Sequence, residues 1–176
     1  MTADLSTYAQ PGAAPDRFRQ VFRRYPAGVV VLTLDAGRGP VGFTATSLAS
    51  LSLDPPLVSF SVSETSSSWP HVRDSDTLVV NFLGAEQEAV ARRFATSGID
   101  RFAEPTRWRR LPDGGPVLDD VSGWLRLRVE NVVPAAGHRI VIGRVEDSWL
   151  SPTPSPLVYH DGRYHSLENP ADGGTS

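Results

Sequence analysis

The sequence predicts a mainly β domain, an antiparallel sheet closed or nearly closed into a barrel, with a few short helices. Three observations predict it. Seven or eight short runs rich in β-branched residues are separated by turn signals, and they do not alternate with helices as βαβ units do. With 15 Gly and 15 Pro in 176 residues, turns are many and long helices few. The length suits a single core, because dividing it would leave two parts too small to bury much surface.

Taken in order, residues 1–15 are polar and Pro/Ala-rich and read as a disordered leader, with residues 16–167 as the one domain. Asp16 is placed to cap a helix whose Phe18, Val21, Phe22 and Tyr25 share one face, ended by Pro26 and Gly28. Gly28 to Leu34 is a short buried strand, Asp35 to Pro40 is turn chemistry, and Val41 to Thr46 is a second strand-like segment. Asp54-Pro-Pro56 breaks the chain before the strand Leu57 to Val62. Ser66 to Arg73 has room for one or two helical turns, Leu78 to Leu83 is a strand, and Glu86 to Thr96 is a helix with Ala89, Val90 and Phe94 on one side. Gly98 to Asp120 is an irregular excursion. From Trp124 to Val133 the pattern alternates, Leu125, Leu127 and Val129 facing one way and Arg126, Arg128 and Glu130 the other. His138 to Leu150 is a strand, and Leu157 to Leu167 is a hairpin about Asp161-Gly162. Residues 168–176 are a polar tail, and no internal repeat is visible.

Two absences restrict the chemistry. Without Cys there are no disulfides, zinc–thiolate sites, iron–sulfur clusters or thiol nucleophiles. All 17 basic residues are Arg, and without Lys a Schiff-base enzyme, a Lys base and a Walker-type phosphate loop are excluded as usually built. Electron transfer in such a chain requires a bound organic cofactor. The formal charge of −3 argues against nucleic acid, although Arg107, Arg109 and Arg110 cluster locally. No signal-peptide pattern opens the chain, and its longest apolar run is too short to span a bilayer, so the expected setting is the cytoplasm, with no membrane partner.

Gly37-Arg-Gly-Pro-Val-Gly42 matches the dinucleotide fingerprint literally, but Pro40 removes a donor and β-formers follow where a helix must begin, so it reads as a hairpin loop. His138, His160 and His165 lie in the C-terminal strands. A three-His metal site lacks an acidic helper there, and the hairpin can send His160 and His165 to opposite faces, so no metal is expected. No Gly-x-Ser-x-Gly elbow supports a serine hydrolase. Four hydroxyls crowd Gly42-Phe-Thr-Ala-Thr-Ser-Leu-Ala-Ser50. They suit a planar, acceptor-rich heterocycle bearing a polyol chain, and equally a Thr/Ser-rich edge strand; the residues alone leave both open.

An ordered set of motifs resembles the flavin reductase-like family, the NAD(P)H:flavin oxidoreductases that serve two-component monooxygenases. The set is Phe22-x-x-x-Pro26-x-Gly28-Val-x-Val-Leu-Thr33, Gly42-Phe-Thr-Ala-Thr-Ser47, Ser50-Leu-Ser-Leu-Asp-Pro-Pro-Leu57, Ser68-Trp69 and Val80-Asn-Phe-Leu83. It continues through Arg93-Phe-Ala95, Gly98-x-Asp-Arg-Phe102, Gly137-His138 to Gly143-Arg-Val145, and Pro156-Leu-Val-Tyr-His-Asp-Gly-Arg-Tyr164. The resemblance implies an antiparallel Greek-key split β-barrel that binds FMN or FAD, usually a homodimer with flavin near the subunit interface. It implies that Phe43, Thr44, Ala45, Thr46 and Ser47 line the isoalloxazine and ribityl chain. Ser61, Val62, Ser63, Ser68 and Trp69 would cover the phosphate end, and Asn81, Ala95 and Arg101 the rest of the flavin. His138, as the catalytic residue, and hairpin residues Tyr159, His160, Asp161 and Gly162 would approach the nicotinamide of NADH or NADPH. Two departures stand out: Ala135-Ala-Gly-His138 where the family often has Gly-Gly-Asp-His, and Arg101 where many members have Lys.

The implied reaction is hydride transfer from nicotinamide C4 to flavin N5, with reduced flavin passed to a flavin-dependent monooxygenase. Competing classes are an oxidase of the same fold, related to pyridoxamine-phosphate oxidases, and a non-enzymatic dimeric flavin-binding module. The residues also favour a homodimer: Trp69, Trp108 and Trp149 add more aromatic surface than one small core hides, and Arg126 and Arg128 share a strand face.

Overall fold

The computed structural model describes residues 14–152 and 155–167, so most of the expected leader and all of the polar tail lie outside the described residues. Helix α1 (Pro15–Arg23) leads into β1 (Ala27–Gly28), β2 (Val30–Asp35), β3 (Pro40–Ala45), β4 (Ala49–Leu53) and β5 (Pro56–Ser63). After α2 (Trp69–Arg73) come β6 (Thr77–Phe82), a 3-10 turn, α3 (Glu88–Ala95), β7 (Trp108–Arg110) and β8 (Pro116–Leu118). Two long strands, β9 (Gly123–Ala135) and β10 (His138–Leu150), precede the hairpin of β11 (Leu157–His160) and β12 (Arg163–Ser166). All strand pairing among the described residues is antiparallel, in a seven-stranded sheet ordered β3-β2-β6-β9-β10-β5-β4 and two small sheets, β1-β11-β12 and β7-β8. The fold is mainly β, as expected.

Strands β3 and β4 form opposite edges of the large sheet, yet only residues 46–48 join them. Laid flat, seven strands would put those edges about 29 Å apart, and three linking residues reach at most about 14 Å. The sheet therefore curls until its edges approach. One apolar cluster fills the curl, with Leu32, Phe43, Phe60, Leu78, Leu127 and Val141; a second, with Val31, Val79, Phe94, Val117 and Leu157, covers the other face. Alternate residues of β2 and β6 feed opposite clusters, so both strands are buried on both faces over most of their length.

Several sequence expectations change. The run expected as one strand from Gly28 splits, because β1 pairs with β11 while β2 pairs with β3 and β6. Strand β4 was not anticipated, and the excursion from Gly98 holds the β7–β8 hairpin. Asp16 does not cap α1: Ala14 is the N-cap, Pro15 occupies the first turn, and Asp16 pairs with Arg19 at 3.4 Å. The apolar face of α1 is not core either, since Phe18, Val21, Phe22 and Tyr25 are 55–67% exposed. The helix is moored at its C-terminal end, where Asp161 N–H donates to the Arg23 carbonyl at 2.7 Å.

Helix α3 lies close on β3. A Cβ on Gly42 would stand 2.8 Å from the Leu32 carbonyl oxygen and 2.8 Å from Phe94 Cε1. Gly42→Ala is therefore expected to cost about 1–3 kcal/mol through overpacking, read as a lower urea midpoint with an unchanged slope. At the β2–β3 turn, the Asp35 carboxyl accepts from Gly37 N–H at 2.8 Å and pairs with Arg110; these two contacts hold it below the ordinary carboxylate value. Its folded pKa lies below its unfolded one, so the stabilisation is complete above about pH 4 and is lost as pH falls through the folded value. Asp35→Ala should cost about 0.5–1 kcal/mol at pH 7, and unfolding titrations should show that difference shrinking at pH 3.

Candidate functional site

Where the sheet edges approach, the end of β3, the 46–48 link, β5, the C-terminal end of α3 and the start of β10 enclose an open groove of about 460 Å³. Phe43 to Ser47, Ser61 to Ser63, Phe94, Ala95, Arg101 and His138 line it, together with Thr65, Ser66, Ser67 and Ser97. The link is held down by one side chain: Ser47 Oγ accepts from Ser61 N–H at 3.0 Å and lies 3.3 Å from the Ser61 carbonyl. Thr44 Oγ1 donates to the Ala91 carbonyl at 2.7 Å and fastens α3 to β3. Thr46 is exposed on the link. The segment after β5 folds on its own hydroxyls, Ser63 Oγ and Thr65 Oγ1 standing 2.8 Å apart and Ser66 Oγ accepting from Ser68 N–H at 3.2 Å.

Arg101 supplies the positive charge of the groove wall. Its Nε donates to the Thr96 carbonyl at 2.8 Å, and its Nη1 donates to the Gly42 carbonyl at 2.6 Å and to Ser68 Oγ at 3.4 Å. Partial burial lowers the pKa of the guanidinium, which nevertheless stays charged at any working pH. These partners are neutral, and no carboxylate within the described residues pairs with Arg101. A cation whose nearest partners are neutral carbonyls keeps its capacity to attract an anion.

His138 opens β10 directly after a turn in which Ala136 (φ 45°) and Gly137 (φ 79°) are both left-handed. It pairs across to Ser63 on one side and Ala135 on the other, so an exposed imidazole stands at the rim of the groove. Beside it, Arg139 meets Glu64 at 2.9 Å and lies over the Trp69 ring, 5.9 Å from its centroid.

The structure thus brings together most of the residues picked from the sequence. Ser68 lies buried behind Arg101, and Trp69 is half-buried against the core cluster. Asn81 is a correction. It is 0% exposed; its Nδ2 donates to the Val31 carbonyl and to Thr33 Oγ1, both at 3.0 Å, and its Oδ1 accepts from Leu118 N–H at 2.8 Å. With its donors and acceptor occupied inside the fold, it holds β8 against the sheet and does not reach the groove. Tyr159, His160, Asp161 and Gly162 sit on the β11–β12 hairpin and are not part of the groove wall in this chain. His160 and His165 share a face of that hairpin, ring centroids 5.9 Å apart, and are not sent to the opposite faces that the sequence left open to them. Sequence reasoning missed Thr65, Ser66, Ser67, Phe94 and Ser97, although the hydroxyl density of Ser63-Glu-Thr-Ser-Ser-Ser68 exceeds that of the segment it did select.

A second depression of about 480 Å³ is lined by Glu86, Arg107, Asp119, Asp120 and neighbouring residues. Its arginine and both aspartates are already paired, Arg107 with Asp120, and Asp119 with Arg109 from outside the depression at 2.7 Å. The groove at the sheet edges, with its unpaired cation and exposed hydroxyl and imidazole, is the stronger site.

Comparison with known proteins gives a consistent picture. A family model described as "Flavin reductase like domain" matches residues 22–168. An NADH:FMN oxidoreductase of Rhodococcus erythropolis is 45% identical over 170 residues, covering 93% of this chain and 85% of that one. HsaB, the reductase subunit of a flavin-dependent monooxygenase in Rhodococcus jostii, is 34% identical, covering 88% and 78%. Among solved structures, the NADH:FAD oxidoreductase SgcE6 of Streptomyces globisporus, in complex with NAD and FAD fragments, superposes with a TM-score of 0.84 at 29% identity, covering 93% of this chain and all of that one.

The placement of Asn81 makes a direct prediction. Asn81→Ala leaves the Leu118 N–H unpaired in the interior, at a cost of about 1–3 kcal/mol in denaturant titration. Ligand affinity of the folded variant, measured well below its melting temperature, should be unchanged.

Proposed function

The chain belongs to the flavin reductase-like family, and from that premise we propose that it transfers hydride from NADH or NADPH to FMN or FAD and delivers the reduced flavin to a partner monooxygenase. The observation that carries this reading is the meeting of Arg101, two hydroxyl-rich segments and His138 on one open groove. The donor set fits a flavin, whose acceptor-rich ring edge, polyol chain and phosphate call for O–H and N–H donors and a fixed cation. Flavin and nicotinamide supply the redox chemistry themselves when bound, so the protein's task is to hold and orient them.

Arg101 serves the phosphate as a guanidinium already fixed by three neutral contacts. Thr46 offers an exposed hydroxyl, while Ser47, occupied by Ser61, acts by holding the link in place. His138 orients the nicotinamide from the rim. No residue has to act as a strong acid or base.

In the same reading the curled sheet is the family's Greek-key split barrel, residues 16–167 are one domain, and the setting is the cytoplasm. No described helix is long and apolar enough to cross a membrane. The assembly is a homodimer. Supporting it, the Tyr159–Gly162 hairpin stands outside its own groove, and Trp149 and Leu150 on β10 are exposed, as is the apolar face of α1. A second copy brings the hairpin to the site.

Steady-state assays with NADH and NADPH against FMN, FAD and riboflavin test the reading, and flavin binding without nicotinamide turnover would point to the oxidase-like class instead. His138→Ala should lower kcat/KM for the nicotinamide by about 1–3 kcal/mol, roughly 5- to 150-fold, with flavin affinity unchanged. Wild-type kinetics in that variant would remove His138 from the site.

A further inference from the structure

Arg93 and its neighbour Arg92 on α3 are used in opposite ways. Arg92 follows the ordinary pattern of an exposed helix and pairs with Glu88 one turn back at 2.7 Å. Arg93 has no carboxylate partner among the described residues and spends its guanidinium on main-chain carbonyls. Its Nε donates to the Arg101 carbonyl at 3.1 Å, and its Nη2 stands 2.9 Å from the carbonyl of Asp100, 3.1 Å from that of Ala103 and 3.3 Å from that of Glu104.

We propose that Arg93 is a positioning residue for anion recognition: it gathers the carbonyls of the 100–104 loop and thereby fixes the direction in which Arg101 enters the groove. A loop of this kind has no strand or helix to orient its carbonyls, and a planar fork with five N–H donors can draw several to one point. The Arg101 carbonyl is held twice, by Arg93 Nε and by Thr106 Oγ1 at 2.7 Å. With the backbone of Arg101 clamped on the α3 side, its side chain extends towards Gly42 and Ser68 on the groove side. Asp100 braces the same turn by accepting from Phe102 N–H at 2.9 Å. Arg101 is thus fixed at both ends before any ligand arrives, so little conformational freedom remains to be lost on binding.

The inference rests on the reading that Arg101 takes the flavin phosphate, and the test separates the two. FMN and riboflavin differ by that phosphate alone, so the ratio of their dissociation constants isolates it. The wild type should prefer FMN by about tenfold or more, the scale of a charge-assisted contact, and Arg101→Met should abolish the preference. Arg93→Met should reduce it to within about threefold of unity while leaving riboflavin affinity and riboflavin kcat unchanged, a split that mere destabilisation would not produce. Thr106→Val leaves the charge unchanged and removes the second hold on the same carbonyl; it should lower the preference partially. If Arg93→Met does not fold, Arg93→Lys, which keeps the charge but reaches fewer carbonyls, should give an intermediate ratio. No FMN preference in the wild type overturns both the phosphate reading and this inference. A preference lost in Arg101→Met but fully kept in Arg93→Met, or in Arg93→Lys and Thr106→Val together, overturns the inference alone.

Discussion

The short link at residues 46–48 is the constraint on which the rest of the molecule depends. Because so few residues join opposite edges of a seven-stranded sheet, the sheet cannot lie flat, and its concave face has to be filled. The same link places its hydroxyls beside β5 and opens a groove where the hydrogen-bonded ladder is interrupted. Fold and site therefore share one cause. A ligand bound in such a seam meets main chain and small polar side chains that are not consumed by strand pairing, which is the surface a planar, acceptor-rich molecule can use.

Around that seam, the fixed positions come from side chains that hydrogen-bond to backbone. Asn81 ties β8 to β6 and β2, Thr44 ties α3 to β3, Ser47 ties the link to β5, and Arg93 and Arg101 stitch the loop after α3 to the sheet. Exposed ion pairs, numerous here, contribute little each and do not set the geometry. The absence of Lys fits this use of cations, since a planar guanidinium can hold several carbonyls at defined angles and an ammonium cannot.

Much of the fold was legible because apolar residues recur with the period of strands. Trp124 to Val133, the following strand from His138, and the Asp161-Gly162 hairpin all stand where the pattern put them. Strand β4 was not legible, because Ala-Ser-Leu-Ser-Leu lacks β-branched residues and its pairing with β5 is long-range information. Helix α1 was legible as a helix, but its burial was not, since amphipathic spacing says which face is apolar without saying what covers it. In the site, the motif carrying Phe43 to Ser47 was visible, as were Arg101 and His138. Asn81 was misread because an amide in a strand motif looks the same in sequence whether it meets a ligand or saturates buried carbonyls.

The two edges of the curled sheet are not equally protected. Edge β3 carries Pro40 and lies under α3, fastened through Thr44. Edge β4 pairs only with β5, carries no charge over its five residues, and exposes Leu51 and Leu53, the latter 90%. Such a strand has neither the charges nor the prolines that help keep sheet edges from accepting foreign strands, and relies on its short length and the register shift between Ser50 and Ser52. Colloidal behaviour should therefore be decided at β4. Aggregates formed by native molecules would grow edge to edge from this side of the sheet, and one lysine or glutamate in place of Leu51 would be the economical way to keep the protein dispersed at high concentration.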